Sequence, residues 1–152
     1  MTIRLLIVDD QRVFAEGLEA IFSAEPDFDL VTAISDPRQA VAASRARQPD
    51  VVLMDIQLGD VSGLDLTTQL RMLPAPPSVV VLTGYAGVAN AIAAVQAGAV
   101  GFVPKHAPAE QVVAAVRAVA AGVSWMPAAM LSHAVAAVHG VQQTPLQQLM
   151  GS

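Results

Sequence analysis

Short apolar runs recur along the chain at Ile3 to Val8, Leu30 to Ile34, Val51 to Met54, Val79 to Leu82 and Val100 to Val103, each bounded by polar or turn-forming residues. Runs of this length without polar alternation predict strands covered on both faces. Between them the apolar spacing becomes helical. Phe14, Leu18, Ile21 and Phe22 form one stripe, Val88, Ile92 and Val95 a second, and Val112, Val116 and Val119 a third. The Ala-rich segment from Arg38 to Arg47 is helical by propensity, and Ser62 to Met72 reads as a helix ended by Pro74, Pro76 and Pro77.

Punctuation supports this division. Asp36-Pro37 places a capping residue before a proline at a first helical position, and Gly98 and Gly122 stand where helices should stop. Five strands alternating with five helices predict an α/β fold: a doubly wound, five-stranded parallel sheet with helices on both faces. After Gly122 the pattern changes. Pro127 to His139 reads as one more short helix, with Leu131, Val135 and Val138 on a face, and the residues from Gly140 onward read as linker. The expected division is therefore a domain over 1–122 and an appendage over 123–152.

Composition narrows the class. Of the 152 residues 54% are hydrophobic and 14% charged, which is far from the signature of a disordered chain. There is no cysteine, so disulfide and thiolate sites are excluded, and a reducing, cytoplasmic setting fits. The N-terminal apolar run closes on two acids, unlike a signal peptide or a membrane span. With a net charge of −5 and its eight basic residues scattered, the chain by itself is not built to bind nucleic acid.

The chemistry gathers at strand ends. Val51-Val52-Leu53-Met54 runs directly into Asp55, and an ionised carboxylate there needs solvent, a cation or a reaction. In open parallel sheets, sites form at the carboxyl ends of the strands. At that edge the first strand delivers Asp9-Asp10, the third Asp55, the fourth Thr83-Gly84, and Lys105 follows the fifth. Crowded acids repel one another unless a divalent cation relieves them, and an all-oxygen set of this kind suits Mg²⁺. Lys105 can hold a further negative group and Thr83 can donate a hydrogen bond to it. Such a site handles phosphoryl groups, with Asp55 as a nucleophile that forms an acyl phosphate. Taken singly, each residue has a plainer reading: a solvated strand end, Asp10 as the cap of a helix beginning at Gln11, a turn at Thr83-Gly84, a surface charge at Lys105. Their joint occurrence at one edge favours the site.

The words LLIVDD, VVLMDIQLGDVSG, VVVLTGY and GAVGFVPK, in that order and spacing over residues 3–121, resemble the receiver domain of bacterial two-component response regulators. The resemblance implies a flavodoxin-like sheet of strand order 2-1-3-4-5. It implies Asp55 as the phosphoacceptor for a sensor histidine kinase. Mg²⁺ would be bound by Asp9, Asp10, Asp55 and the Gln57 backbone carbonyl, and the phosphoryl group contacted by Thr83 and Lys105. Phe102 matches the aromatic switch position that follows Thr83, and Gln57 and Tyr85 fall where side chains modulate the lifetime of the phosphorylated state. The stretch from Gly98 to Met130 is similar to the NarL/FixJ, or LuxR-type, subfamily. There a DNA-binding helix-turn-helix domain follows the receiver, and phosphorylation promotes a homodimer. Nothing after Gly140 is long enough to be that domain, so DNA would be reached only through a segment absent from this chain. The family's Met-Pro pair after the phosphoacceptor is replaced by Leu58-Gly59, which implies a looser turn, and His106 stands where proline is common.

Other readings are weaker. A stand-alone receiver acting through protein contacts alone has the same site. A haloacid dehalogenase-like phosphatase would carry D-x-D after the first strand, whereas Asp9 and Asp10 are adjacent and Gln11 follows. A receiver that no longer takes phosphate would not be expected to keep Asp10, Asp55, Thr83 and Lys105 together. His133 and His139, six apart on a helix, do not share a face as metal ligands should. Trp125 and Met126 are expected to pack the extra helix onto the domain.

Overall fold

The computed structural model describes residues 2–84 and 87–126. Its main sheet consists of β1 (Ile3–Val8), β2 (Phe28–Ile34), β3 (Val51–Met54), β4 (Ser78–Thr83) and β5 (Gly101–Pro104). All pairings are parallel, in the order β2-β1-β3-β4-β5. The helices are α1 (Arg12–Ser23), α2 (Ala40–Arg47), α3 (Gly63–Arg71), α4 (Val88–Ala97) and α5 (Ala109–Ala120). The expected helix at Pro127–His139, with His133 and His139, lies outside the described residues.

Side-chain alternation divides the buried strands between two cores. Leu5, Ile7, Leu53, Val80, Leu82 and Val103 face α1 and α5, while Leu6, Val8, Val52, Met54, Val79, Val81 and Phe102 face α2, α3 and α4. Each such side chain contributes about 1.5–3 kcal/mol on burial. Val112, Val116 and Val119 of α5 are buried as their spacing predicts.

The stripe on α4 behaves differently. Ala91 and Ala94 are the buried positions, whereas Val88 and Val95 are exposed. The small alanines let the helix lie close to the sheet, and that turns the larger valines outward. Gly98 then ends α4 in the left-handed region, φ 106°, where its missing Cβ avoids strain.

Two local structures depart from expectation. Asp36 caps a short 3₁₀ turn, Pro37–Gln39, through Oδ1 to the Arg38 N–H, and the α-helix proper starts only at Ala40. After β3, Gln57 pairs with Ser62 and Leu58 with Val61 in a small antiparallel hairpin. Gly59 provides the turn, at φ 67°. The Leu58-Gly59 substitution therefore gives a tight turn rather than a looser one, with Leu58 anchored in the core. Ser62 caps α3 by accepting from the Asp65 N–H.

Past α5 the chain returns to the sheet. The Trp125 N–H donates to the Val100 carbonyl and its own carbonyl accepts from the Phe102 N–H, each at 2.9 Å, so Trp125 bridges in parallel to the outer edge of β5. In the last turn of α5, Arg117 grips the loop before β2, with Nε 2.8 Å from Asp27 Oδ2 and Nη2 2.9 Å from Glu25 Oε2.

Candidate functional site

The sheet register brings the acids together. Val8 lies opposite Met54 in the ladder, so the next residue on each strand, Asp9 and Asp55, emerges side by side. The Asp55 N–H still donates to the Val8 carbonyl at 3.1 Å, which holds the two strand ends in step. Asp9 and Asp55 are buried and Asp10 is exposed. One carboxylate oxygen from each of the three lies within 4.8 Å of the others. Asp10 does not cap α1: the cap position is Gln11, whose side chain makes no capping bond to the helix, and the Gln11 N–H donates to Asp9 Oδ1 at 2.9 Å.

Lys105 reaches back from the end of β5. The Lys105 N–H donates to the Thr83 carbonyl at 2.8 Å, which ties the ends of β4 and β5. Its side chain then runs to the acids, with Nζ 2.9 Å from both Asp9 Oδ2 and Asp55 Oδ2. Burial alone lowers the pKa of this ammonium, but hydrogen bonds and charges from Asp55 and Asp9 outweigh it and hold the lysine above its usual value. For Asp9 burial dominates and raises the carboxyl above the ordinary range, against the Lys105 bond and the Gln11 N–H.

Both oxygens of Asp55 are engaged. Oδ2 accepts from Lys105, and Oδ1 accepts from the Gln57 N–H at 3.2 Å. The Gln57 side chain is exposed and, with Asp10, Gln11, Asp55, Gly59, Gly84 and Lys105, lines a cavity of about 440 Å³. Thr83 is fully buried at the end of β4. Phe102 is fully buried as well, its ring already inside among the residues facing α3 and α4. His106 is exposed, and Tyr85 lies outside the described residues.

The donor set is hard and all-oxygen, three carboxylates of which one is open to solvent, and this fits Mg²⁺ better than a softer metal. Sequence reasoning brought Asp9, Asp10, Asp55 and Lys105 to one edge, and they meet there. It missed Gln11 and Phe14. The Gln11 Oε1 accepts from Lys105 Nζ at 2.6 Å, and the Phe14 ring centroid lies 4.6 Å from the same nitrogen. The signal available was position alone: Gln11 follows the acid pair directly, and Phe14 lies one helical turn further on.

A parallel 2-1-3-4-5 sheet with this acid-and-lysine edge is the architecture of a phosphorelay receiver. The chain belongs to the response regulator receiver domain family, whose pattern matches residues 5–117. It is 30% identical over 120 residues to the transcriptional regulatory protein LiaR of Bacillus subtilis, covering 79% of this chain and 57% of LiaR. It is also 30% identical over 149 residues to the DNA-binding transcriptional activator DevR/DosR of Mycobacterium tuberculosis, covering 97% of this chain and 69% of that protein. Among solved structures, a LuxR-family two-component response regulator from Aurantimonas superposes with a TM-score of 0.80 at 28% identity, over 89% of this chain and 96% of that one. The chain spans little more than half the length of the first curated relatives it matches. Its receiver is similar to those of transcriptional response regulators. No helix among the described residues is long and apolar enough to cross a membrane.

Proposed function

We propose that Asp55 accepts a phosphoryl group from the phosphohistidine of a sensor kinase. A carboxylate oxygen of Asp55 attacks phosphorus, the P–N bond to the kinase histidine breaks, and that nitrogen keeps the electron pair and takes a proton. The product is an acyl phosphate on Asp55. The observation that carries this reading is the convergence of Lys105 on Asp55 and Asp9, each at 2.9 Å, beside a third carboxylate. Lys105 is placed to leave Asp55 Oδ2 and neutralise an arriving phosphoryl oxygen. A Mg²⁺ ion held by Asp9, Asp10, Asp55 and the Gln57 carbonyl would supply the remaining charge neutralisation.

Phosphorylation adds about −1.5 to −2 charge at the edge, by analogy with other phosphorylated side chains. In this reading Thr83 donates to a phosphoryl oxygen and Phe102 follows it. Because the Phe102 ring is already inward, the phosphoryl group stabilises that arrangement rather than creating it. Gln57 and Tyr85 set the lifetime by flanking the approach of water to phosphorus. A phosphorylation-dependent homodimer then acts on DNA through a domain beyond this chain. A Burkholderia pseudomallei response regulator 31% identical to this chain carries a phosphorylated aspartic acid and a calcium ion, which supports the reading.

The test is intact-mass analysis after incubation with acetyl phosphate and Mg²⁺. The wild-type chain should gain one phosphoryl group and Asp55→Asn none. Full labelling of Asp55→Asn would overturn the assignment.

A further inference from the structure

Lys105 is held by more than the acids. An ammonium has three N–H bonds to give. Three oxygens meet this one: Asp9 Oδ2 and Asp55 Oδ2 at 2.9 Å and Gln11 Oε1 at 2.6 Å. The fourth neighbour is the face of Phe14, 4.6 Å from Nζ to the centroid, a cation–π distance. The Lys105 side chain is 15% exposed, so little of it faces open solvent.

Gln11 is itself anchored, since its N–H donates to Asp9 Oδ1. The start of α1 thus grips one acid by its backbone and the lysine by its side chain. The two kinds of partner will behave differently in the reaction. For Lys105 to contact a phosphoryl group on Asp55 it must give up one of these three oxygens, because no N–H is left over, and Asp55 Oδ2 belongs to the carboxylate that reacts. Gln11 and Phe14 are neutral, so they hold the ammonium without competing with phosphate through charge. A lysine stem has considerable rotamer freedom to lose. Restricting it beforehand removes part of that loss from the transition state.

We propose that Gln11 and Phe14 are positioning residues that confine the Lys105 ammonium beside Asp55 while it exchanges the carboxylate for the phosphoryl group. The proposal rests on Asp55 being the phosphoacceptor. In this role both act through the lysine.

Lys105 is the only lysine in the sequence. Lysine labelled with ¹⁵N at the side chain therefore gives one ammonium signal, assignable without ambiguity. The experiment compares the full chain with Gln11→Met, which keeps length but removes the acceptor, and with Phe14→Leu, which keeps apolar bulk but removes the ring. In the unphosphorylated protein, Gln11→Met should speed ammonium proton exchange and shift the signal. Phe14→Leu should remove the ring-current displacement of the lysine Hε protons. With acetyl phosphate and saturating Mg²⁺, Gln11→Met should lower the maximal phosphorylation rate about tenfold, equivalent to about 1.4 kcal/mol of barrier. The donor concentration at half-maximal rate should change little. Added to Lys105→Ala, Gln11→Met should slow the residual reaction no further.

An unchanged ammonium signal in both variants overturns the proposal, as does an undiminished rate in Gln11→Met or an equal loss in the Lys105→Ala background. If wild-type Asp55 takes no phosphate, the phosphoacceptor reading fails and positioning for phosphorylation fails with it. The ammonium spectra separate that outcome from a failure of the lysine contacts themselves.

Discussion

Gly63 opens α3 where the backbone crosses the strand end that carries Asp55. A Cβ added there would lie 1.9 Å from the Asp55 carbonyl oxygen and 2.9 Å from Ile56 Cα, and both are main-chain atoms that cannot rotate away. Contact below 3.0 Å essentially never occurs for a real Cβ, so Gly63→Ala must move one segment by about 1 Å. Two effects oppose each other. Alanine is the better helix former by at most about 1 kcal/mol, and less at a first helical position. Overpacking a rigid contact costs about 3 kcal/mol, the upper end of the usual range because the obstacle is backbone. The expected net loss is about 2 kcal/mol, which lowers the thermal midpoint by roughly 8 °C for a domain of this size.

The same displacement moves Asp55 relative to Lys105, so phosphorylation by acetyl phosphate should fall more than stability alone explains, even well below the melting range. Gly17→Ala serves as the control. Gly17 lies within α1 with nothing near its added Cβ, and substitution there should stabilise by about 1 kcal/mol. Thermal melts and phosphorylation rates on both variants decide the matter. A Gly63→Ala protein with wild-type midpoint and wild-type rate would refute the close-approach reasoning.

Phe102→Ala removes a fully buried ring from the core facing α3 and α4, and urea unfolding should show a loss of about 4 kcal/mol. Ser44 Oγ is buried on α2 without a hydrogen-bond partner among the described residues, so Ser44→Ala should be neutral or stabilising by about 1 kcal/mol in the same assay, and a clear loss would reveal a partner for it. Arg117 lowers the Asp27 carboxyl below its ordinary value, chiefly through their hydrogen bond. A lowered folded-state pKa stabilises the protein above the unfolded value, and that contribution is lost as pH falls through the folded one. Wild type should therefore exceed Arg117→Gln in urea midpoint at neutral pH, with the gap closing below about pH 4; a gap that persists in acid would assign the effect to packing over Phe28 instead.

The apolar runs named the five strands to within two residues, most directly at β3, where burial on both faces leaves no room for polar positions, while the edge strand β2 is only half-buried and keeps Asp29 and Thr32. The runs understate the ends. Phe28 extends β2 beyond the polar Asp29 that interrupts the run, and Ser78 and Thr83 extend β4, since ladder hydrogen bonds continue through polar positions. On α4 the larger apolar residues pointed to the wrong face. Spacing arguments weight valine over alanine, whereas close packing on a sheet selects the smaller residue. The hairpin at Gln57–Ser62 escaped notice because its strands are two residues long, too short for any period to register.

The site was legible where a strand end sets the position of a functional group, and less so where a side chain travels to it. Asp9 and Asp55 follow from register; Gln11 and Phe14 become visible only once the Lys105 stem is seen lying against α1. Trp125 shows the same limit at the backbone level. Its aromatic character suggested packing of a following helix, yet its main chain completes the outer edge of β5 by two hydrogen bonds, one of them from the Phe102 N–H. Phe102 thus presents its ring to the core beside α4 and its backbone to the segment that leaves the domain. A shift of the β5 main chain must be shared by Trp125 or must break both bonds. Left unsatisfied, each orphaned backbone group costs about 1–3 kcal/mol where water does not reach it, so a shared shift is the cheaper course.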